Sequence, residues 1–317
     1  MLLAGLLTAH VALAQIPSES WPPKPPVIPP WVKVTRDLSY GTHPRQVLNI
    51  LQPTEAARSL RPAAIVIHGG GWIGGTRDWV AEHVCLRFVE IGFVVANVEY
   101  RVAPAATAPA AVEDVLLAAA WFKQNARRFG ADPRRLVVTG DSAGGHLALM
   151  VGLTPKSAGL GPDVRVGAVV NFFGITDVND QLHGPNQRNY TVQWVPEQPD
   201  REALARRVSP LTYARKGAPP VLSIHGTADS SVPYQHAVQL TERLNAAGAT
   251  AALITVAGGS HGFSKNLTDE IYERYVWPFL RNAGILKGPD PQAKNAERAN
   301  SALLTCGPPP RCKFAGR

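Results

Sequence analysis

Three residues that together can move an acyl group stand at three glycine-punctuated points of the chain. Ser142 lies in Gly140-Asp141-Ser142-Ala143-Gly144-Gly145, Asp229 in His225-Gly226-Thr227-Ala228-Asp229, and His261 in Gly258-Gly259-Ser260-His261-Gly262. A serine hydroxyl is a weak nucleophile until a base takes its proton, and an imidazole base works when a carboxylate holds its tautomer and stabilises its charged form. A fourth stretch, His68-Gly69-Gly70-Gly71-Trp72-Ile73-Gly74-Gly75, puts five glycines in eight positions. So much backbone freedom is costly unless amides must point at something. It predicts an oxyanion loop in which N–H groups of Gly70 or Gly71, with that of Ala143, receive the negative oxygen of a tetrahedral intermediate. A phosphate loop is the competing reading; it lacks the Gly-Lys-Ser/Thr ending, and no dinucleotide fingerprint follows. This chemistry needs no cofactor.

The elements that must hold these residues follow from the pattern around them. The β-branched run Val137-Val138-Thr139 enters the Ser142 turn, and Leu147 to Met150 continue as an apolar helix, which is the strand, sharp turn and helix of a nucleophile elbow. Residues 32–40 and 47–51 alternate as an antiparallel edge, and 63–67 and 93–100 read as strands buried on both faces. Residues 135–139, 164–172, 220–224 and 251–256 are further strands. Helices are predicted at 79–91, 110–129, 233–247 and 270–283. Alternating strands and helices predict an α/β protein with a mostly parallel sheet covered on both faces. Ser142, Asp229 and His261 all fall at or just past carboxyl ends of strands, where open sheets build sites. Residues 176–206, rich in Asn, Asp, Gln and Pro, break the rhythm and read as an active-site crossing or small cap. Trp72, His146, Tyr190 and Trp194 are expected near a substrate pocket. His68 and His225 are expected to be structural hydrogen-bonders in their loops, and Asp141 to point away from the serine.

The chain of 317 residues carries 32 basic and 24 acidic side chains. The excess is not clustered with aromatics, so it reads as a solvated basic surface with no nucleic-acid groove. Residues 1–14 are apolar and end Ala12-Leu13-Ala14, which resembles an export signal without its usual early Lys or Arg. A proline-rich leader spans 15–31, the catalytic domain 32–285, and a polar tail 286–317. No later run of apolar residues is long enough to insert stably in a membrane. Secretion or periplasmic export follows as an expectation. In such an oxidising compartment Cys306 and Cys312 can close a small disulfide loop, while Cys85 sits in an apolar helical pattern as a buried thiol. The three cysteines, without a histidine at ligand spacing, make no metal site.

Together, His68 to Trp72 and Gly140 to Gly145 resemble the α/β-hydrolase superfamily, in particular bacterial esterases of the hormone-sensitive-lipase-like group and the feruloyl and acetyl (BD-FAE-like) esterases. Tyr100-Arg101-Val102-Ala103-Pro104 and Glu113-Asp114 are similar to the same group. The resemblance covers about residues 32–284 and implies an eight-stranded sheet, with nucleophile, acid and base at Ser142, Asp229 and His261 and oxyanion amides at Gly70, Gly71 and Ala143. The acid loop, His225 to Pro233, looks more like the feruloyl/acetyl esterase and prolyl-oligopeptidase-like branch, and a proline-rich leader leads almost directly into the strands where the lipase-like group usually has a longer helical cap. The implied activity is a serine carboxylesterase acting on short acyl or aryl esters, small molecules or oligosaccharides, with plant cell-wall fragments as one source. An exported peptidase with the same triad is the first alternative, and a non-catalytic binding protein of this fold the second.

Overall fold

The computed structural model describes residues 25–287 and 304–306. The expected export signal (1–14), the leader up to residue 24, most of the tail and Cys312, hence the expected disulfide, lie outside the described residues.

Eight strands form the expected sheet: β1 (Val32–Ser39), β2 (Val47–Pro53), β3 (Arg61–Ile67), β4 (Val94–Val98), β5 (Ala131–Asp141), β6 (Ala168–Phe172), β7 (Val221–Gly226) and β8 (Ala251–Val256). A short ninth, β9 (Leu304–Cys306), adds antiparallel to β8. The spatial order is β1-β2-β4-β3-β5-β6-β7-β8-β9, antiparallel between β1, β2 and β4 and parallel from β4 through β8. Nine helices accompany them among the described residues: α1 (Asp78–Val80), α2 (Leu86–Glu90), α3 (Ala110–Asn125), α4 (Ala143–Leu153), α5 (Asn189–Trp194), α6 (Arg201–Arg207), α7 (Gln235–Ala246), α8 (Lys265–Ile271) and α9 (Trp277–Asn282). π turns join α1 to α2 and α8 to α9.

β3 shows why the centre of the sheet reads as an unbroken apolar run. Ala63 through Ile67 are wholly buried, with Ile65 and Ile67 in one hydrophobic cluster beside Val112 and Leu147, and Ala64 and Val66 in the other beside Phe88 and Val276. A strand buried on both faces has no polar side to alternate with. Several boundaries depart from the local pattern. α3 stops at Asn125 and a 3-10 turn ends at Gly130 with φ 73°. β5 begins four residues early because Ala131 pairs with Arg61. The last helical stretch starts at Lys265, where the Ser264 hydroxyl caps the Leu267 N–H. Residues 176–206 fold into 3-10 turns, α5 and the start of α6, a small helical cap. Among the described residues no helix is long and apolar enough to cross a membrane.

Candidate active site

β5 delivers Ser142 in a conformation few side chains adopt, φ 54° and ψ −122°. Its N–H donates to the Phe172 carbonyl at 2.9 Å, and its own carbonyl opens α4 by accepting from His146 N–H at 3.0 Å. The glycines on either side are required by crowding. A Cβ on Gly140 would lie 2.5 Å from the Gly144 carbonyl, and one on Gly144 only 2.1 Å from the Ile67 oxygen. The elbow is thus pressed against the end of β3, and the strained serine is held there by its neighbours. Positive φ also occurs at Trp72 and Phe173, both beside this site.

His261 lies in the loop after β8. The Ser142 hydroxyl donates to its Nε2 at 2.9 Å, and its Nδ1–H donates to Asp229 Oδ2 at 2.8 Å. Asp229, in the loop after β7, has a fully buried carboxylate whose Oδ1 accepts the N–H groups of Ser231 (2.8 Å) and Val232 (2.9 Å). His225 Nε2 stands 3.2 Å from Oδ2 and 3.0 Å from the Val232 carbonyl, so the acid serves two histidines. Burial pulls the Asp229 carboxyl upward, but hydrogen bonds from His225, His261 and the Val232 N–H outweigh it and hold the group well below the usual carboxylate range. It is ionised wherever the imidazole needs a counter-charge. The His261 ring meets the buried Phe173 ring at 4.8 Å, which is backed by Phe263 at 5.4 Å.

The glycine-rich loop folds back on itself beside this relay. Ile73 and Gly74 N–H groups both donate to the Gly70 carbonyl at 3.1 Å, and Gly70, Gly71 and Gly75 have φ of 114°, 58° and 88°. A Cβ on Gly144 would sit 2.6 Å from the His68 oxygen, so the loop abuts the elbow. Ala143 opens α4, and first-turn N–H groups have no intrahelical acceptor and carry the positive end of the helix dipole. Hydroxyl, imidazole and carboxylate in line, with free-ended amides alongside, can pass a proton off an attacking oxygen and receive the charge that develops on a carbonyl. His68 is a structural hydrogen-bonder, its Nδ1 2.7 Å from the Gly69 carbonyl. Asp141 lies against Gly69, its carboxyl pushed up by burial, partly offset by the charges of His68 and His261.

Three of the four expected pocket residues are moved behind the wall. Trp72, His146 and Trp194 are all 0% exposed, so none of them faces a substrate. They form a joint: the Trp72 indole N–H donates to His146 Nδ1 (3.1 Å), His146 Nε2–H donates to the Val208 carbonyl (2.7 Å), and Trp194 stacks on Trp72 at 4.2 Å. The large aromatics go where most area is buried, which here is the seam between glycine-rich loop, α4 and cap. Tyr190 alone keeps exposure. Its ring rests on Gly71, within 2.9 Å of where a Cβ would be, and its hydroxyl donates to the Ser231 carbonyl at 3.0 Å. It therefore spans from the glycine-rich loop to the acid loop.

The His146 joint is built for a neutral ring. Burial drives its pKa from 6.5 down to about 4, against the pull of the Val208 carbonyl. The folded state excludes a proton that the unfolded chain binds below about pH 6.5. The joint's contribution is intact above that value and drains away as the pH falls to about 4, by about 3 kcal/mol in all. Denaturant unfolding at about pH 7 and about pH 4 should show this slope in the wild type and a flatter one in His146→Gln; equal slopes would contradict it.

Residues without a motif also build the site. Gln181 Nε2 and Arg188 Nε donate to the Ser231 carbonyl (2.9 and 3.0 Å), and Arg188 Nη2 to that of Ser230 (2.7 Å), tying the cap to the acid loop. Glu99 and Arg45 meet behind the glycine-rich loop. Their only sequence signal is that Glu99 immediately precedes Tyr100-Arg101.

Residues 48–244 match the model of the BD-FAE family. The chain is similar to Esterase LipC of Mycobacterium tuberculosis, 32% identical over 245 residues that cover 72% of this chain and 59% of that protein. It is also similar to the Probable carboxylic ester hydrolase LipM of the same organism, 33% identical over 220 residues, 66% of this chain and 51% of that one. The chain thus spans between half and three fifths of the length of these relatives. A solved structure, "Truncated form of carbohydrate esterase from gut microbiota", superposes with a TM-score of 0.72 at 25% identity, over 82% of this chain and all of that one.

Proposed function

This chain belongs to the BD-FAE family, and from that premise we propose that it is an exported serine carboxylesterase cleaving short acyl or aryl esters. The single observation that carries the reading is the unbroken relay from Ser142 through His261 to Asp229, at 2.9 and 2.8 Å. Ser142 Oγ attacks the ester carbonyl while its proton passes to His261 Nε2. The carbonyl oxygen becomes an oxyanion held by N–H groups of Ala143 and of Gly70 or Gly71. Collapse breaks the C–O bond to the alcohol, which leaves with the proton from His261, and the acyl group stays on Ser142. A water then gives its proton to His261 and attacks the acyl carbon; the acid departs and the proton returns to Ser142.

Two features support a small acyl group. Tyr190 crosses from Gly71 to the Ser231 carbonyl, roofing the space beside the relay. The cap holding it is anchored at both ends, by the Trp72–Trp194 stack and by Arg188 on Ser230 and Ser231, so it cannot swing aside cheaply. The solved structure titled as a carbohydrate esterase favours an esterified sugar, such as a fragment of plant cell wall, as the alcohol half.

The test is hydrolysis of p-nitrophenyl esters from acetate to laurate, with Ser142→Ala as the blank. Rates should peak at two to four carbons. Tyr190→Ala should raise the octanoate-to-acetate ratio of kcat/KM by about tenfold or more, since even one methylene in an apolar pocket shifts selectivity by 10-fold or so. An unchanged ratio would remove Tyr190 from the acyl wall, and a wild type that cleaves no ester would end the carboxylesterase reading.

A further inference from the structure

The glycine-rich loop must hold its amides to within about half an ångström, yet its glycines give it little stiffness of its own. Something outside it must set its position. The loop runs from His68, just past β3, to Arg77, just before α1. Both ends come to one side chain. Glu99, at the end of the neighbouring strand β4 and 8% exposed, accepts from His68 Nε2 at 3.0 Å on Oε1 and from the Arg77 backbone N–H at 3.2 Å on Oε2. The same Oε1 receives Arg45 Nη2 at 2.6 Å and the Tyr100 N–H at 3.2 Å.

Arg45 reinforces the grip from the β1–β2 turn. Its Nη2 also donates to the Gly75 carbonyl (3.1 Å), inside the loop, and its Nε to the Tyr100 carbonyl (2.8 Å). Tyr100 stacks on the His68 ring at 4.3 Å and donates its hydroxyl to the His68 carbonyl at 3.0 Å. Gly75 closes the circle: a Cβ there would lie 2.7 Å from His68 Nδ1. Four donors from the loop's two ends, the β1–β2 turn and the segment just after β4 thus converge on one carboxylate. Its charged form is favoured: burial pulls the Glu99 carboxyl upward, but His68, Arg45 and the Arg77 N–H hold it below its ordinary range.

We propose that Glu99 is a positioning residue for ester hydrolysis, a clasp that closes the oxyanion loop at both ends and keeps its amides in register with Ser142. This rests on reading that loop as an oxyanion site. Glu99 touches neither Ser142 nor His261 in the relay, so its effect runs wholly through the loop.

Glu99→Gln tests the clasp with nearly unchanged shape. The Gln oxygen can still accept from His68 and Arg45, but its NH2 then faces the Arg77 N–H, donor against donor, and the loop exit keeps only the Asn97 amide on the Arg77 carbonyl (2.8 Å) and the Arg77–Asp37 ion pair. With p-nitrophenyl acetate, kcat should fall about ten- to hundredfold, the scale of an ångström-sized misplacement or a weakened oxyanion donor, with KM within about threefold. Amide hydrogen exchange over residues 68–77 should quicken about tenfold or more while α4 and β5 keep wild-type protection. Arg45→Gln, at a partly exposed position, should move both readouts the same way by less. Glu99→Gln with wild-type kcat, or with wild-type exchange in the loop, overturns the clasp. A wild type without esterase activity whose loop exchange still quickens in Glu99→Gln keeps the clasp and overturns the esterase reading instead.

Discussion

Ser142→Ala is expected to lower kcat for ester hydrolysis by about 10⁴-fold or more, leaving only the slow reaction that oxyanion amides and binding support without a nucleophile. The fold should not suffer, because among the described residues the hydroxyl bonds only the partly exposed His261 ring. Stability offers a second, independent reading of the same position. At φ 54° and ψ −122° any Cβ is strained, so Ser142→Gly should be more stable than Ser142→Ala by about 1 kcal/mol, or roughly 2–4 °C in Tm for a domain of this size. Paired kinetics and thermal unfolding of the two variants check both statements. A Gly variant more stable than the Ala variant means the strain at this position is maintained by the Gly140–Gly144–Ile67 contacts beneath it. Equal Tm values for Ala and Gly would mean the backbone relaxes.

Asp229→Asn should cost about 10³- to 10⁴-fold in kcat with KM little changed. The direction follows from the hydrogen bonds around the carboxylate. Oδ1 accepts from the N–H groups of Ser231 and Val232, so an asparagine must leave its oxygen there and turn its NH2 toward His261 and His225. The NH2 can only donate, which forces His261 Nδ1 to become the acceptor and puts the ring proton on Nε2, facing Ser142. An imidazole protonated there cannot take the serine's proton. The acid loop itself should survive, since the Ser231 and Val232 bonds are kept, so Asp229→Asn should unfold closer to wild type than Asp229→Ala, which loses them. Steady-state kinetics with p-nitrophenyl acetate and a thermal melt separate the two effects. Near wild-type kcat in Asp229→Asn would mean another group orients the imidazole.

Much of this arrangement was legible without coordinates where the cause is local. The elbow needs small residues two before and two after the serine, because its backbone meets β3 there, and Gly140 and Gly144 advertise that need. Strands buried on both faces announce themselves as apolar runs, as β3 and β4 do. The order of Ser142, Asp229 and His261, each after a strand, followed from punctuation alone. Boundaries were less legible where a long-range partner decides them: β5 begins at Ala131 only because Arg61 lies beside it.

What only the tertiary structure decided concerns contacts between segments far apart in the chain. Aromatic type marked Trp72, Trp194 and His146 as pocket candidates, but an indole and an imidazole serve equally in a wall or in a packed seam. Their 0% exposure follows from how the cap docks across the elbow helix, 74 residues from Trp72 to His146 and 62 from His146 to Val208. Glu99 carries no motif because its work is to accept across loops that meet only once the sheet has formed. Local patterning thus determined which residues could do chemistry and at which edge of a parallel sheet they would stand, since period, glycine and chain order are properties of neighbours in sequence. Burial and convergence decided which of them face a substrate and which hold the others in place, because desolvation and hydrogen-bond geometry depend on what the rest of the chain brings alongside.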